Sequence, residues 1–361
     1  MLQLRNIRVK INLYKTAVLL LLIIMLSQVN CFYVKQGYYV LHYSFAAQKN
    51  EKLLERNDVS DSTRAFLALV NDIRAYTFDS IGLKRNRNYT GIVQVENDYL
   101  INVVSACKKT SFDKYQWKYP FFGKAPYKGY FDKEDAVREG KKLDKKGYDV
   151  YIGKSDAFST LGILSDPLYS YMQSYSEYAL ASMIIHEQTH ATLYLKNNVD
   201  FFEQAAVFIG DQGGINFIRH KYGENSDEYK NIFLTKGDYD VFIQSLRDLY
   251  HALDSIYKMQ VLSDTEKLSN KEELINRYKK NLVDNYSTYF KTDNYRGIDN
   301  AKINNAYITS RMTYHKDLSV FDSLYKRTNY DLKKSVSYLM TLKNEDKPFE
   351  RMKEYLQDRT K

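Results

Sequence analysis

The stretch His186-Glu187-Gln188-Thr189-His190 limits what this chain can fold into more than any other. Residues four apart lie on one face of an α-helix, so a single helix can offer both imidazoles to one metal ion. Glu187, next to the first imidazole, then faces a water held at that ion. Zinc makes such a water acidic, and a carboxylate beside it takes its proton. The chemistry therefore requires helix here, and the flanks agree. Ser174-Tyr175-Ser176-Glu177 has the spacing of a capping box, in which Ser and Glu satisfy free amides at a helix start. Leu180, Met183 and Ile184 continue an apolar face to about Leu195, and Asn197-Asn198 ends the pattern.

A catalytic zinc takes three protein ligands and keeps one position open. Glu203, thirteen residues after His190, is the expected third ligand. It stands near the start of a second predicted helix, Asp200 to about Tyr222, which a turn over 197–200 folds back antiparallel. The competing reading makes Glu203 a helix-start carboxylate favoured by the helix dipole. Asp211 either orients a ligand histidine as an outer carboxylate or stays at the surface.

The amino terminus carries a second signal. Arg5, Arg8, Lys10 and Lys15 precede an unbroken apolar run from Ala17 to Leu26, and Cys31 follows shortly after. The run is short for a membrane span and suits a secretory signal. Cys31 suggests lipidation, with Asn30 an unfavourable residue before it; the alternative is an uncleaved signal anchor. Either way the expected location is membrane-anchored and extracytoplasmic. The net charge of +9 invites a nucleic-acid partner, but basic runs are broken by acids, as in Lys133-Glu134-Asp135, and no such motif occurs. No nucleic acid is expected. Cys107 is the only other cysteine, so no disulfide is expected and a buried small hydrophobe is the reading.

Periodicity predicts an early helix within Phe32 to Asn50 and another over Ser62 to Tyr76. Strands are predicted at Gly91–Val95, Tyr99–Ala106 and Tyr148–Ile152, with a charged helix over Lys133–Lys146. From about Ser226 the chain is helix-dominated. The expected fold is α+β and zincin-like: a small β-sheet, the helix bearing the metal motif, and a helical C-terminal lobe. Residues 1–30 form the signal or anchor, 31–225 the catalytic region, and 226–361 a lobe of the same unit.

Several segments resemble a known family. They are Pro126-Tyr127-Lys128-Gly129-Tyr130-Phe131, Gly147-Tyr148-Asp149-Val150-Tyr151-Ile152-Gly153, Ala157-Phe158-Ser159-Thr160-Leu161-Gly162, Asp166-Pro167-Leu168, the metal motif, Phe202-Glu203 and Asn304-Asn305-Ala306-Tyr307. With Cys31-Phe32-Tyr33, they resemble the predicted bacterial aminopeptidases, which look like gluzincins with two His and one Glu on zinc. The resemblance covers nearly the whole chain after the signal. It implies zinc-dependent hydrolysis of peptides, with His186, His190 and Glu203 as ligands and Glu187 as base. This chain departs from the family pattern at Phe202, where Asn is usual, and at Gln188-Thr189, where Leu-Ala is usual.

By the same resemblance Ser159, Thr160, Leu161 and Gly162 border the cleft and offer backbone to an extended substrate; a plain turn is the equal alternative. A peptidase also needs a donor for the developing oxyanion. Tyr307, Arg311, Tyr314 and His315 fall on one expected helical stretch, and Tyr314 is the choice, against a packing role. An aminopeptidase is the first reading of activity. An endopeptidase, or an inactive peptidase-like binding protein, is the alternative.

Overall fold

The computed structural model describes residues 31–119, 123–155, 165–193, 198–313 and 318–358. Residues 1–46 and 47–361 form two compact units. The apolar run of the expected signal lies outside the described residues. In the first unit the described residues form one helix, α1 (Cys31–Ala46), with Cys31 as its first residue. Its aromatic rings stack one turn apart, Tyr38 on His42 and Tyr39 on Tyr43. Val34, Tyr38, Leu41 and Phe45 are exposed along one face of it. Among the described residues no helix is long and apolar enough to cross a membrane.

The second unit opens with β1 (Gln48–Lys49), α2 (Asn50–Leu54) and α3 (Asp61–Tyr76). There follow β2 (Gly91–Val93), β3 (Ile101–Lys108), β4 (Trp117–Tyr119), β5 (Gly123–Ala125) and β6 (Tyr127–Tyr130). Helix α4 (Lys133–Asp144) leads to β7 (Tyr148–Ser155) and β8 (Leu168–Tyr169). The remainder is helical. It comprises α5 (Glu177–Thr192), α6 (Val199–Tyr222), α7 (Asp227–Lys258), α8 (Asp264–Asp284) and α9 (Tyr286–Tyr289). It ends with α10 (Asn305–Thr313), α11 (Ser319–Arg327), α12 (Leu332–Thr341) and α13 (Pro348–Gln357). The fold is α+β, as its sequence pattern requires.

The larger sheet is antiparallel in the order β6-β3-β7, with Val104 opposite both Lys128 and Ile152. The second sheet, β1-β2-β8, is small and pairs β2 with β8 in parallel. The predicted strand over Gly91–Val95 stops at Val93 because Val95 leaves the ladder. Its N–H donates to Ser170 Oγ at 3.0 Å, and that hydroxyl donates back to the Val95 carbonyl. Helix α5 also starts later than its capping pattern indicates. Ser176, not Ser174, is the N-cap and accepts from the Ala179 N–H at 3.2 Å. Glu177 performs no capping: its carboxylate accepts from Lys221 Nζ and Tyr222 Oη, both at 2.8 Å, at the far end of α6.

The C-terminal lobe has its own core of Phe242, Leu246, Leu249, Leu253, Ile275, Leu282 and Ile308, onto which Phe112 and Tyr151 from the sheet side also pack. A buried polar network joins the two layers. Lys271 of α8 donates to Asp149 of β7 and, at 3.1 Å, to the Lys109 carbonyl. Asp149 Oδ2 also accepts from the Asn305 N–H at 2.9 Å. The Asn305 amide donates to the carbonyls of Lys108, Lys109 and Ser111 and accepts from Tyr257 Oη. Asn304 donates to the Val150 carbonyl at 3.0 Å. Asn304-Asn305 and Asp149 are thus structural clamps between lobe and sheet. Cys107, in β3, is buried, and burial pushes its thiol up to about 12.

Lys271 is 2% exposed, so deleting its charge strands Asp149 in the interior. Lys271→Met is expected to lower unfolding free energy by about 3–5 kcal/mol, read as a shifted urea midpoint. An unchanged midpoint would mean that the pair contributes nothing.

Candidate active site

Helix α5 buries Leu180, Ala181, Ile184, Ile185, Gln188, Thr189 and Thr192, two neighbours per turn. That stripe fixes the rotation of the helix and leaves His186, Glu187 and His190 beside it. The two imidazoles meet with their Nε2 atoms 3.1 Å apart. Glu187 Oε1 lies 4.0 Å from His186 Nε2, and Glu203 Oε1 lies 3.5 Å from His190 Nε2. Donor atoms of His186, Glu187 and His190 all fall within 4.8 Å of one another. Glu203 stands in the second turn of α6, whose N-cap is Asn198, so it caps nothing.

This donor set fits a tetrahedral cation. Zinc–nitrogen bonds of about 2.0–2.1 Å at tetrahedral angles separate two donors by about 3.3 Å. The His186–His190 and His190–Glu203 spacings straddle that value. The donor atoms that all lie within 4.8 Å of one another are those of His186, Glu187 and His190; Glu203 approaches from the His190 side. Two observations on unpartnered atoms agree: Glu187 Oε2 and His190 Nδ1 are buried without a hydrogen-bond partner. Burial, then the neighbouring His190, brings His186 down to about 4, and burial alone brings His190 to about 4. At neutral pH both rings therefore present lone pairs. Burial, then the charges of Asp166 and Glu203, pushes Glu187 up to about 7.

The site rests on an unusually close pair of helices. A Cβ placed on Gly210 of α6 would lie 2.8 Å from the Ser182 carbonyl and 2.9 Å from His186 Cβ. One on Gly214 would lie 3.1 Å from the Ser182 amide nitrogen. Glu203, Val207, Gly210 and Gly214 follow one face of α6. The glycines thus let that face approach the histidine helix and carry Glu203 to His190. The spacing Gly210-x-x-Gly213-Gly214 is visible in the sequence, and sequence reasoning missed it.

The buried face of α5 is tied to segments far away in the chain. Gln188 accepts from Asn86, and Thr192 Oγ1 accepts from the Lys84 N–H at 3.0 Å. Gln188 and Thr192 are therefore buried polar attachments, whereas Thr189 donates to the Ile185 carbonyl within its own helix. Tyr89 adopts a left-handed φ of 61° and donates its N–H to the Asp166 carbonyl at 2.7 Å. Asp166 donates back to Asn88 Oδ1, and Asn50 holds the Tyr89 carbonyl. A bulky residue rarely takes this conformation outside a functional or tightly determined site. Burial, then the Glu187 charge, pushes the Tyr89 hydroxyl up. Neither Tyr89 nor Asp166 had been assigned a role from sequence; Asn88-Tyr89 carries no turn signature that would reveal one.

Phe202 packs its ring 4.8 Å from that of His190. A phenyl ring offers no acceptor, consistent with the unpartnered Nδ1. Asp211 does not orient a ligand histidine: both its oxygens accept from Lys236 Nζ at 2.7 Å, and Tyr178 donates to it as well. A cleft of about 750 Å³ opens on His186, walled by Ser182, Met183, Val207, Tyr239 and Tyr295. Ser159, Thr160, Leu161, Gly162 and Tyr314 lie outside the described residues.

A family model described as putative aminopeptidase matches residues 31–355. No curated protein and no solved structure matches the chain.

Two expectations follow from this geometry. Gly210→Ala gains about 1 kcal/mol of helix propensity but must push backbone apart, so a net loss of about 1–2 kcal/mol is expected. Gly237→Ala in α7, where a Cβ meets nothing within 4 Å, should instead stabilise. Urea melts of the two variants decide. In the metal-free chain the depressed histidines contribute stability that is complete above 6.5 and lost as pH falls toward 4. The raised Glu187 works oppositely, losing stability as pH rises from 4.5 through 7. Between 4.5 and 6.5 the histidines outweigh it by one proton, so stability rises with pH. Glu187→Gln should steepen that rise, measured as unfolding free energy in chelator; an unaltered slope would contradict the burial of Glu187.

Proposed function

The chain belongs to this aminopeptidase family, and we propose that it is a zinc-dependent peptidase. His186, His190 and Glu203 would hold the ion, and Glu187 acts as general base. The observation that carries this reading is the convergence of two neutral imidazole nitrogens 3.1 Å apart, with one carboxylate at 3.5 Å and a second at 4.0 Å. Zinc supplies Lewis acidity there, polarising a peptide carbonyl and acidifying a water.

Glu187 takes the proton of the attacking water and returns it to the nitrogen of the leaving amine. A carboxyl group held near 7 serves both steps, because neither protonation state is strongly disfavoured at neutral pH. Asp166 supports that value through its charge, and the clasp between Asp166 and Asn88-Tyr89 keeps it in place. The cleft at His186 gives a peptide room on one side of the scissile bond. Release of single residues from the amino terminus is the activity the family description favours. The basic start, the apolar run 17–26, Cys31 and the exposed apolar face of α1 support a membrane-tethered, extracytoplasmic enzyme.

The test pairs zinc content with digestion of a mixed peptide library by the wild-type chain and Glu187→Gln. A single bound zinc in both proteins is expected, with turnover reduced about 10²–10⁴-fold in the variant. Products shortened one residue at a time would support an aminopeptidase, and internal cuts an endopeptidase. Zinc without turnover would assign a binding role, and a folded, metal-replete chain without zinc would overturn the proposal.

A further inference from the structure

A second cavity, of about 570 Å³, lies between strands β3 and β7 and helix α10 and is lined by Ser105, Tyr151, Gly153, Ser310 and Arg311 among others. Arg311 of α10 rests its guanidinium 5.4 Å from the centre of the Tyr307 ring and donates to Tyr151 Oη at 3.3 Å. Tyr151 and Tyr307 are themselves set edge to face. These contacts fix the guanidinium plane, but they do not neutralise it: among the described residues Arg311 makes no ion pair. The other cations at the two cavities are already engaged. Lys236 is held by Asp211 and Lys154 by Asp98.

Helix α10, which carries Arg311, packs against α7, which carries Tyr239 and Asp240 of the cleft that opens on His186. Burial pushes up the hydroxyls of Tyr239 and Tyr295, which wall that cleft, and the Arg311 charge pulls both partly back. Asp240, at the same cleft, has no partner among the described residues and repels an anion there. A rigid, uncompensated guanidinium beyond it is the place where an anionic group of a substrate gains most. Planar donors in a fork match a carboxylate.

We propose that Arg311 anchors a carboxylate of the peptide substrate, from its free C-terminus or an acidic side chain, beyond the cleft that begins at His186. The proposal rests on the peptidase reading for the identity of the ligand. It makes Arg311 a specificity residue: good substrates are peptides that place a negative charge at a fixed distance from the scissile bond, and short peptides do so with their own C-terminus.

Binding is measured on the full chain carrying Glu187→Gln, which separates recognition from turnover. Three fluorescently labelled short peptides are titrated: a neutral sequence with a free C-terminus, the same sequence amidated, and an amidated sequence with one Glu. A carboxylate-bearing peptide should bind about tenfold or more tightly than the neutral amide. Preference for the free acid alone assigns the anchor to the C-terminus, and preference for the Glu peptide assigns it to a side chain. Arg311→Gln should abolish the preference while leaving the neutral amide bound as before, and Arg311→Lys should retain part of it. Equal binding of all three peptides, no binding of any, or a preference that survives Arg311→Gln would overturn the proposal. A preference seen in a chain whose wild type cleaves no peptide would uphold the anchor and remove the peptidase reading.

Discussion

The close contact between α5 and α6 is the constraint on which the site depends. One helix presents His186 and His190 with Glu187 beside them, and a second carboxylate, Glu203, comes from the neighbouring helix, near enough for its side chain to reach His190. Glycine at 210 and 214 removes the side chains that would hold the helices apart, and the register of the antiparallel pair then sets Gly214 and Gly210 against Ser182 and His186. One further stretch of α6 brings Glu203 opposite His190. The Ala206 backbone, in between, also raises the His186 pKa slightly, as a backbone acceptor does. Close packing of this kind tolerates little adjustment, because interiors are as dense as organic crystals.

A second contact serves the same end from further off. Asp149, Lys271 and Asn305 are separated by more than a hundred residues in places, yet they share one buried network. It bonds the β3-β7 side of the sheet to the C-terminal helices, so that Tyr151, Tyr307 and Arg311 are held together. Burying charge is costly unless it is paired and hydrogen-bonded, and here each buried group has several partners.

Much of this was legible in sequence where the signal is local. The helix bearing the HExxH motif, the second helix from residue 200 to about 222, and the α+β class all follow from local pattern and composition. The α5 start was misplaced because Ser174 and Ser176 both suit a cap. Tertiary contacts decide between them, as Glu177 is taken up by Lys221 and Tyr222. Asp211 offered the right residue type for an outer carboxylate, but Lys236, one helix on, claims it. The left-handed turn at Tyr89 had no glycine or asparagine at that position to announce it. Asn304-Asn305 could be noticed as a motif, whereas its role as a clamp depends on carbonyls nearly two hundred residues away.

The clasp between Asp166 and Asn88-Tyr89 has a wider meaning when set beside the helix pair. His186, Glu187, His190 and Glu203 all come from one pair of consecutive helices. The surroundings that raise Glu187 come partly from elsewhere: Asp166 and its clasp on Asn88-Tyr89 are distant in the chain, whereas Glu203 belongs to the helix pair. Part of the Glu187 environment is therefore set by a piece of polypeptide separate from the one that places the two imidazoles. Substitutions around residues 88, 89 and 166 can retune the acidity of the base while the donors stay where they are.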